Sequence, residues 1–145
     1  MRFTNLLRAA TALLLAGHLA AATAHEYYAA NFTVIHPWAE ATEPKATEAP
    51  VYFVLESISK PDRLLRAYTT HAAQVEIRPG NGGKTATALA SVPIAAQDKL
   101  EFLPGKTHLL LKGLKAPLEW NRSYPLTLVF EKAGPVTVMV SVGAH

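Results

Sequence analysis

Two runs near the end of this chain alternate with period two. Leu126, Leu128 and Phe130 are interleaved with Thr127 and Val129, and Val136, Val138, Val140 and Val142 with Thr137, Met139 and Ser141. Ala133-Gly134-Pro135 lies between the two runs. Successive side chains of a strand point to opposite faces, so this alternation specifies strands buried on one face. A short glycine-containing break between two such strands specifies a hairpin. One apolar face must then be covered by other elements. No segment beyond residue 24 has the apolar spacing of an amphipathic helix, so the cover must come from more strands.

The remaining chain supplies them. Residues 31–35 alternate, with Phe32 and Val34 set against Thr33. Val51-Tyr52-Phe53-Val54-Leu55 is the continuous apolar run expected of a strand covered on both faces. Residues 64–70 and 74–78 read as strands, the second with Val75 and Ile77 inward. Residues 84–92 form a weakly patterned, alanine-rich strand candidate. Leu100 and Phe102 alternate with Lys99 and Glu101, and residues 107–111 follow. Ser59-Lys60-Pro61-Asp62, Pro79-Gly80-Asn81-Gly82-Gly83 and Pro104-Gly105 are the turns between them. Eight or nine short strands at this spacing predict an all-β Greek-key barrel or sandwich. Residues 40–50, rich in Glu, Thr, Ala and Pro, predict a surface loop, with Glu40, Glu43 and Glu48 as its solvated face.

The first 24 residues have a different character. Arg2 and Arg8 precede an apolar stretch around Leu13-Leu14-Leu15-Ala16, and Ala22-Thr23-Ala24 has the A-x-A form of a cleavage site. This is the pattern of a secretory signal peptide, and it predicts export to the periplasm with a mature chain starting at His25. The apolar stretch is too short for a membrane span. Removal of residues 1–24 leaves 121 of the 145 residues, enough for one domain with a core of its own. It also lowers the formal charge from +3 to +1, so nothing favours nucleic acid or anionic lipid as a partner. There is no cysteine, which excludes disulfides, thiolate chemistry and a lipid-bearing cysteine after the apolar stretch.

Several segments together resemble the periplasmic copper chaperones called PCu(A)C. They are His25-Glu26-Tyr27, His36-Pro37-Trp38-Ala39, Val75-Glu76-Ile77, Leu103-Pro104-Gly105, His108-Leu109-Leu110-Leu111, Gly113-Leu114, and the run from Pro125 to Gly134 followed by Val136-Thr137-Val138. The resemblance spans nearly all of the chain beyond residue 24 and rests on the order and spacing of these motifs. It implies a cupredoxin-like β-barrel and copper as the cargo. It implies as partner a copper-dependent membrane oxidase, or another copper carrier.

The same resemblance locates a departure. The family pattern has a His ending the V-E-L strand, a Met beyond the next hairpin, and a His-x-Met strand. Thioether sulfur suits the soft Cu(I) ion, and residues two apart on a strand share a face. In this chain Arg78 ends the corresponding strand, residues 84–92 contain no Met, and His108 is followed two residues later by Leu110. The resemblance therefore implies a degenerate Cu(I) site in which His108 alone remains, with the positive charge of Arg78 opposing a cation.

Other candidates are read singly. His25, if it is the first residue, carries an α-amine beside its imidazole, and the two nitrogens could chelate Cu(II); its other role is a frayed terminus. His108 is a metal ligand or a strand-start ring bonded to backbone. His36 precedes Pro37, which favours extended backbone, and reads as packing beside Trp38. His71 reads as exposed at a strand end, and His145 as a mobile last residue. Met139 reads as a packing residue, and Trp38 and Trp120 as core or rim aromatics. No G-x-S-x-G or H-E-x-x-H motif is present and no serine has a nucleophile setting, so the chain reads as a non-enzyme. Two functions follow: a copper-binding or metallochaperone-like protein, or an interaction module on the same fold without metal.

Overall fold

The computed structural model describes residues 25–143, so the predicted signal segment and His145 lie outside the described residues. Ten strands follow in order: β1 (Glu26–Tyr28), β2 (Thr33–Ala39), β3 (Glu48–Ile58), β4 (Asp62–Tyr68), β5 (Ala72–Arg78), β6 (Val92–Ile94), β7 (Gln97–Phe102), β8 (His108–Leu114), β9 (Ser123–Phe130) and β10 (Gly134–Val142). They form a curled half-barrel sheet in the order β5-β8-β3-β2-β10-β9-β4-β6, with β1 added to β2 and β7 to β3. The predicted all-β cupredoxin-like architecture is the one observed.

The hairpin read from the sequence is β9–β10, which pairs from Gly134↔Phe130 to Ser141↔Ser123. Its alternation is realised in burial: Leu126, Leu128, Phe130, Val138, Val140 and Val142 are core residues. β10 then runs parallel to β2 through Ser141↔Trp38 and Val142↔Ala39. β3 organises the opposite side. Its first half, Glu48 to Val51, pairs with β8, and its second half, from Phe53 on, pairs with β7, while β2 takes its other edge.

The core is apolar throughout. No polar or charged residue is buried among the described residues. Phe53 stacks on Phe102 with centroids 4.4 Å apart, and Phe32 tilts against Phe130 at 4.6 Å. Offset and tilted aromatic pairs of this kind add about 0.5–1.5 kcal/mol beyond the area they bury.

Four expectations are corrected. Residues 51–55 are not covered on both faces: Val51, Phe53 and Leu55 are buried, whereas Tyr52 and Val54 are half-buried, so β3 is a one-faced strand with large outer residues. The predicted loop at residues 40–50 ends early, because β3 begins at Glu48 and pairs it with Lys112. Residues 84–92 do not form a strand. They hold a 3₁₀ turn (Gly83–Thr85), one bridge between Leu89 and Ile77, and the start of β6. Their small alanines offer little to pack, so no ladder is extended there. Ten strands replace eight or nine because the three-residue strands β1 and β6 are too short to show a period.

The β9–β10 turn is held from outside by Asp62, the first residue of β4. Its Oδ1 accepts the backbone N–H groups of Arg63 (2.7 Å) and Lys132 (2.9 Å), and its Oδ2 accepts that of Ala133 (3.0 Å). A carboxylate divided over three backbone donors satisfies groups that the turn itself leaves unpaired. Asp62→Ala should destabilise the fold by about 1–3 kcal/mol, the range for charged hydrogen bonds lost from a partly buried site. Urea denaturation monitored by tryptophan fluorescence checks this, and an unchanged midpoint would remove Asp62 from this role.

Candidate metal centre

β5, β8 and β3 lie side by side, and their register decides what meets on their outer face. Arg78 is opposite His108 and Glu76 opposite Leu110. Pro50 is opposite Leu110, and Glu48 opposite Lys112. The intervening residues Leu109, Leu111, Ile77, Val51 and Ala49 are buried in the core. Period two therefore sends His108, Leu110 and Lys112 outward with Arg78, Glu48 and Pro50, and they line an open groove with Pro79, Gly80 and Gly83 at its end.

Charge in the groove is organised around Glu76. Arg78 Nη1 donates to Glu76 Oε2 at 3.1 Å, and Lys112 Nζ lies 3.4 Å from Glu76 Oε1 and 3.9 Å from Glu48 Oε1. Arg78 Nη2 also donates to the Gly83 carbonyl at 3.4 Å. The side chains of Arg78 and Glu76 keep only 14% and 22% of their exposure, so water screens this pair less than an ordinary surface pair. Composition singles out none of this network, because Glu76, Lys112 and Glu48 are far apart in sequence and only the strand register assembles them.

His108 stands at the head of β8. Its Nδ1 lies 2.8 Å from the Lys106 carbonyl oxygen. A carbonyl only accepts, so Nδ1 carries the proton, and in the neutral ring the lone pair is on Nε2. This is the backbone contact named as one of its two roles. It is also the contact that orients a metal-binding imidazole. The ring lies against Tyr52 (5.8 Å), which lies against Trp38 (4.7 Å), so one row crosses four strands from Trp38 through Tyr52 and His108 to Arg78. Burial, and then the charge of Glu40, raise the Tyr52 pKa, which keeps it a neutral hydroxyl beside His108.

The other candidates separate. His25 is exposed, and its carbonyl accepts the backbone N–H of His36 at 2.9 Å. His36 is half-buried and has a left-handed backbone (φ 47°) at a bulge where the β2–β3 register shifts between Ile35 and Trp38. It therefore departs from the extended backbone expected before Pro37. His71 is not idle: its ring meets Tyr124 edge-on at 4.9 Å, and its backbone N–H donates to Thr69 Oγ1 at 3.2 Å. Met139 is corrected from packing residue to partly exposed (37%), because Val138 and Val140 take the inner face. Trp120 is 63% exposed and belongs to neither core nor rim, since it sits in a turn between β8 and β9. Glu40 and Glu43 are exposed as expected. Among the described residues, no three or more His, Asp or Glu side chains form a group that could hold a metal ion.

A family model, lipoprotein LpqE-like, matches residues 32–142, which is well over half of the chain. The chain belongs to the LpqE-like family. Solved structures that it resembles include PCuAC domains, so the membership and the sequence resemblance agree. The copper-bound PCuAC domain from PmoF2 is 25% identical over 83% of this chain and 99% of its own, with a TM-score of 0.73. The apo PCuAC domain from PmoF1 is 28% identical over 83% of this chain and 100% of its own, with a TM-score of 0.74. The Cu(I) form of DR1885 from Deinococcus radiodurans, at 22% identity over 74% of this chain and 75% of its own (TM-score 0.63), shares the fold. No curated protein matches. Within this LpqE-like chain, the ion network shares the groove of β5, β8 and β3 with His108.

Glu76→Gln should cost about 1–3 kcal/mol of stability, because it leaves Arg78 and Lys112 in a half-covered groove without their shared carboxylate. Glu131→Gln is the comparison: Glu131 pairs with Arg63 at 3.7 Å with 57% of its side chain exposed, and its loss should cost under about 1 kcal/mol. Denaturant midpoints of the two variants check the difference; equal effects would mean that the groove network is an ordinary surface pair.

Proposed function

We propose that this LpqE-like protein is an exported copper-binding protein of the periplasm, a carrier rather than a catalyst. In this reading residues 1–24 are a cleaved signal and residues 25–145 one functional domain. Copper is the cargo, and its destination is the assembly of a copper-dependent respiratory oxidase in the membrane, directly or through another copper carrier. The observation that carries the proposal is the orientation of His108. Its Nδ1 is engaged by the Lys106 carbonyl, which fixes Nε2 as the lone-pair nitrogen of a side chain lining the groove. Similarity to a copper-bound PCuAC domain supports the same reading.

The proposed site is degenerate for Cu(I). Leu110, two residues after His108 on the same face, presents carbon where a thioether would bind. Arg78, directly across from His108, brings a positive charge. Nitrogen ligands remain, and they favour Cu(II). We assign these to the α-amine and imidazole of His25, with His108 as a separate, weaker point of attachment. The ion network of Glu76 favours a second reading, an accessory module that binds a protein partner and no metal, because its charges satisfy one another.

Copper titration of protein whose N-terminus is confirmed by intact mass separates the readings. The native protein should take up Cu(II). One extra residue before His25 should weaken this by about tenfold or more (about 1.4 kcal/mol per factor of ten), since the amine moves away from its imidazole. His108→Ala should have a smaller effect. No copper uptake at all would favour the accessory module, and tight Cu(I) retention against a strong competitor would sink the degenerate site.

The groove also predicts a gain. Arg78→His with Leu110→Met places a second imidazole across from His108 and a thioether two residues after it. The double variant should bind Cu(I) at least about tenfold more tightly than the native protein. An unchanged Cu(I) affinity in a competition assay would show that these two positions do not limit the site.

A further inference from the structure

We propose that Gly80 is a positioning residue for His108: its bare Cα lets the turn after β5 seat against the Lys106 peptide, whose carbonyl sets which His108 nitrogen keeps its lone pair. This rests on the reading of His108 as a copper attachment point and extends it to the turn that holds the ring.

Two turns meet at one end of the groove. Arg78, the last residue of β5, is opposite His108, the first of β8. The chain leaving β5 as Pro79-Gly80-Asn81-Gly82-Gly83 therefore lies beside the chain entering β8 as Pro104-Gly105-Lys106-Thr107. Pro79, Gly80 and Gly83 line the groove together with His108.

Gly80 has no conformational need to be glycine. Left-handed backbone occurs at Gly82, Gly83, Gly105, Gly113 and Gly134, and not at Gly80. What Gly80 needs is space. A Cβ on it would stand 2.5 Å from Lys106 Cα and 2.7 Å from the Lys106 carbonyl carbon, and would press on the Gly105 carbonyl oxygen as well. Unbonded carbons settle at about 3.5–4.0 Å, so any side chain here must push one turn off the other. The neighbour is backbone and cannot swing aside as the tip of a side chain can.

The Lys106 peptide is the one that holds His108. Its N–H donates to the Leu103 carbonyl at 2.9 Å, and its ammonium pairs with Glu101. Its carbonyl oxygen lies 2.8 Å from His108 Nδ1. From the other side, Arg78 Nη2 donates to the Gly83 carbonyl at 3.4 Å and pins the 79–83 turn against it. A neutral histidine ring in water prefers its proton on Nε2, and a fixed acceptor at Nδ1 reverses the preference. Moving the Lys106 carbonyl would return the proton to Nε2 and remove the lone pair that a metal needs. A glycine kept only for packing would change stability; this one changes the tautomer.

The test begins without copper. Mature isotope-labelled protein is held about two pH units above the ordinary histidine pKa of about 6.5, where the rings are neutral. Long-range proton–nitrogen correlation spectra read which ring nitrogen carries the proton, and His108→Asn assigns the signal. The native ring should be the Nδ1–H form, and Gly80→Ala should turn it mainly to the Nε2–H form. Gly83→Ala is the control. It puts alanine on left-handed backbone in the same turn (φ 55°), where a Cβ meets nothing within 4 Å, so it should cost stability and leave the tautomer unchanged. If Gly80→Ala loses the native amide spectrum, two glycines inserted between Asn81 and Gly82 loosen the turn without adding a Cβ, and the Nδ1–H share should fall. A native ring in the Nε2–H form would overturn the proposal. So would the native tautomer in folded Gly80→Ala or, failing that, in the folded insertion, and so would an equal change in Gly83→Ala. Cu(II) is then added to protein carrying one extra residue before His25. It should broaden the His108 ring signals when Gly80 is present and much less in Gly80→Ala. No broadening with Gly80 present, while the tautomer still depends on Gly80, would overturn His108 as an attachment point and leave the positioning role standing.

Discussion

The structure depends on one strand. β3 has β2 along one edge and, on the other, β8 for its first half and β7 for its second. In the strand order, β8 and β5 reach the rest of the sheet only through it. Its alternation of Val51, Phe53 and Leu55 inward places three fully buried side chains at the middle of the core. A one-residue slip would turn all three to the outside. With no disulfide and, among the described residues, no buried charge to specify register, that apolar alternation and the Phe53–Phe102 stack carry the specification.

The groove is the other face of the same constraint. If Val51 and Phe53 point inward, Pro50 and Tyr52 must point outward, and the antiparallel pairing then sets them beside Leu110 and His108. The core behind the groove fixes its shape, because the same strands that bury Val51, Leu109 and Ile77 turn their alternate residues outward. The lining is thus open to change without loss of fold. In this chain the groove is lined by an ion-paired network. Arg78 and Lys112 divide the two oxygens of Glu76, and Glu48 meets Lys112 from β3, so two cations face two carboxylates.

The start of the described chain has a different logic. β1 adds few core side chains, but its backbone and the Tyr27 hydroxyl fill the fork where β10 parts from β2. Met139 N–H points to the β1 side of β10, away from β9, and finds its acceptor in the Tyr27 hydroxyl. Ordering the first residues thus follows from a backbone hydrogen-bonding need in the sheet. Two histidines face each other as a result.

The sequence by itself determined the fold class. Period-two runs at residues 126–130 and 136–142 and the turns that separate the strands are local properties of the chain, and they survive into burial residue by residue. It also determined that no thioether stands two residues after His108, because Leu110 can be read there directly. What it could not determine was anything that depends on pairing. The three-residue strands β1 and β6 have no period of their own and exist through their neighbours. The Glu76 network joins residues from three strands, and the His25–His36 opposition comes from a register that starts at a bulge. Only the tertiary structure decided these, because cross-strand register is set by which apolar faces close on one another, and that is a property of the whole sheet.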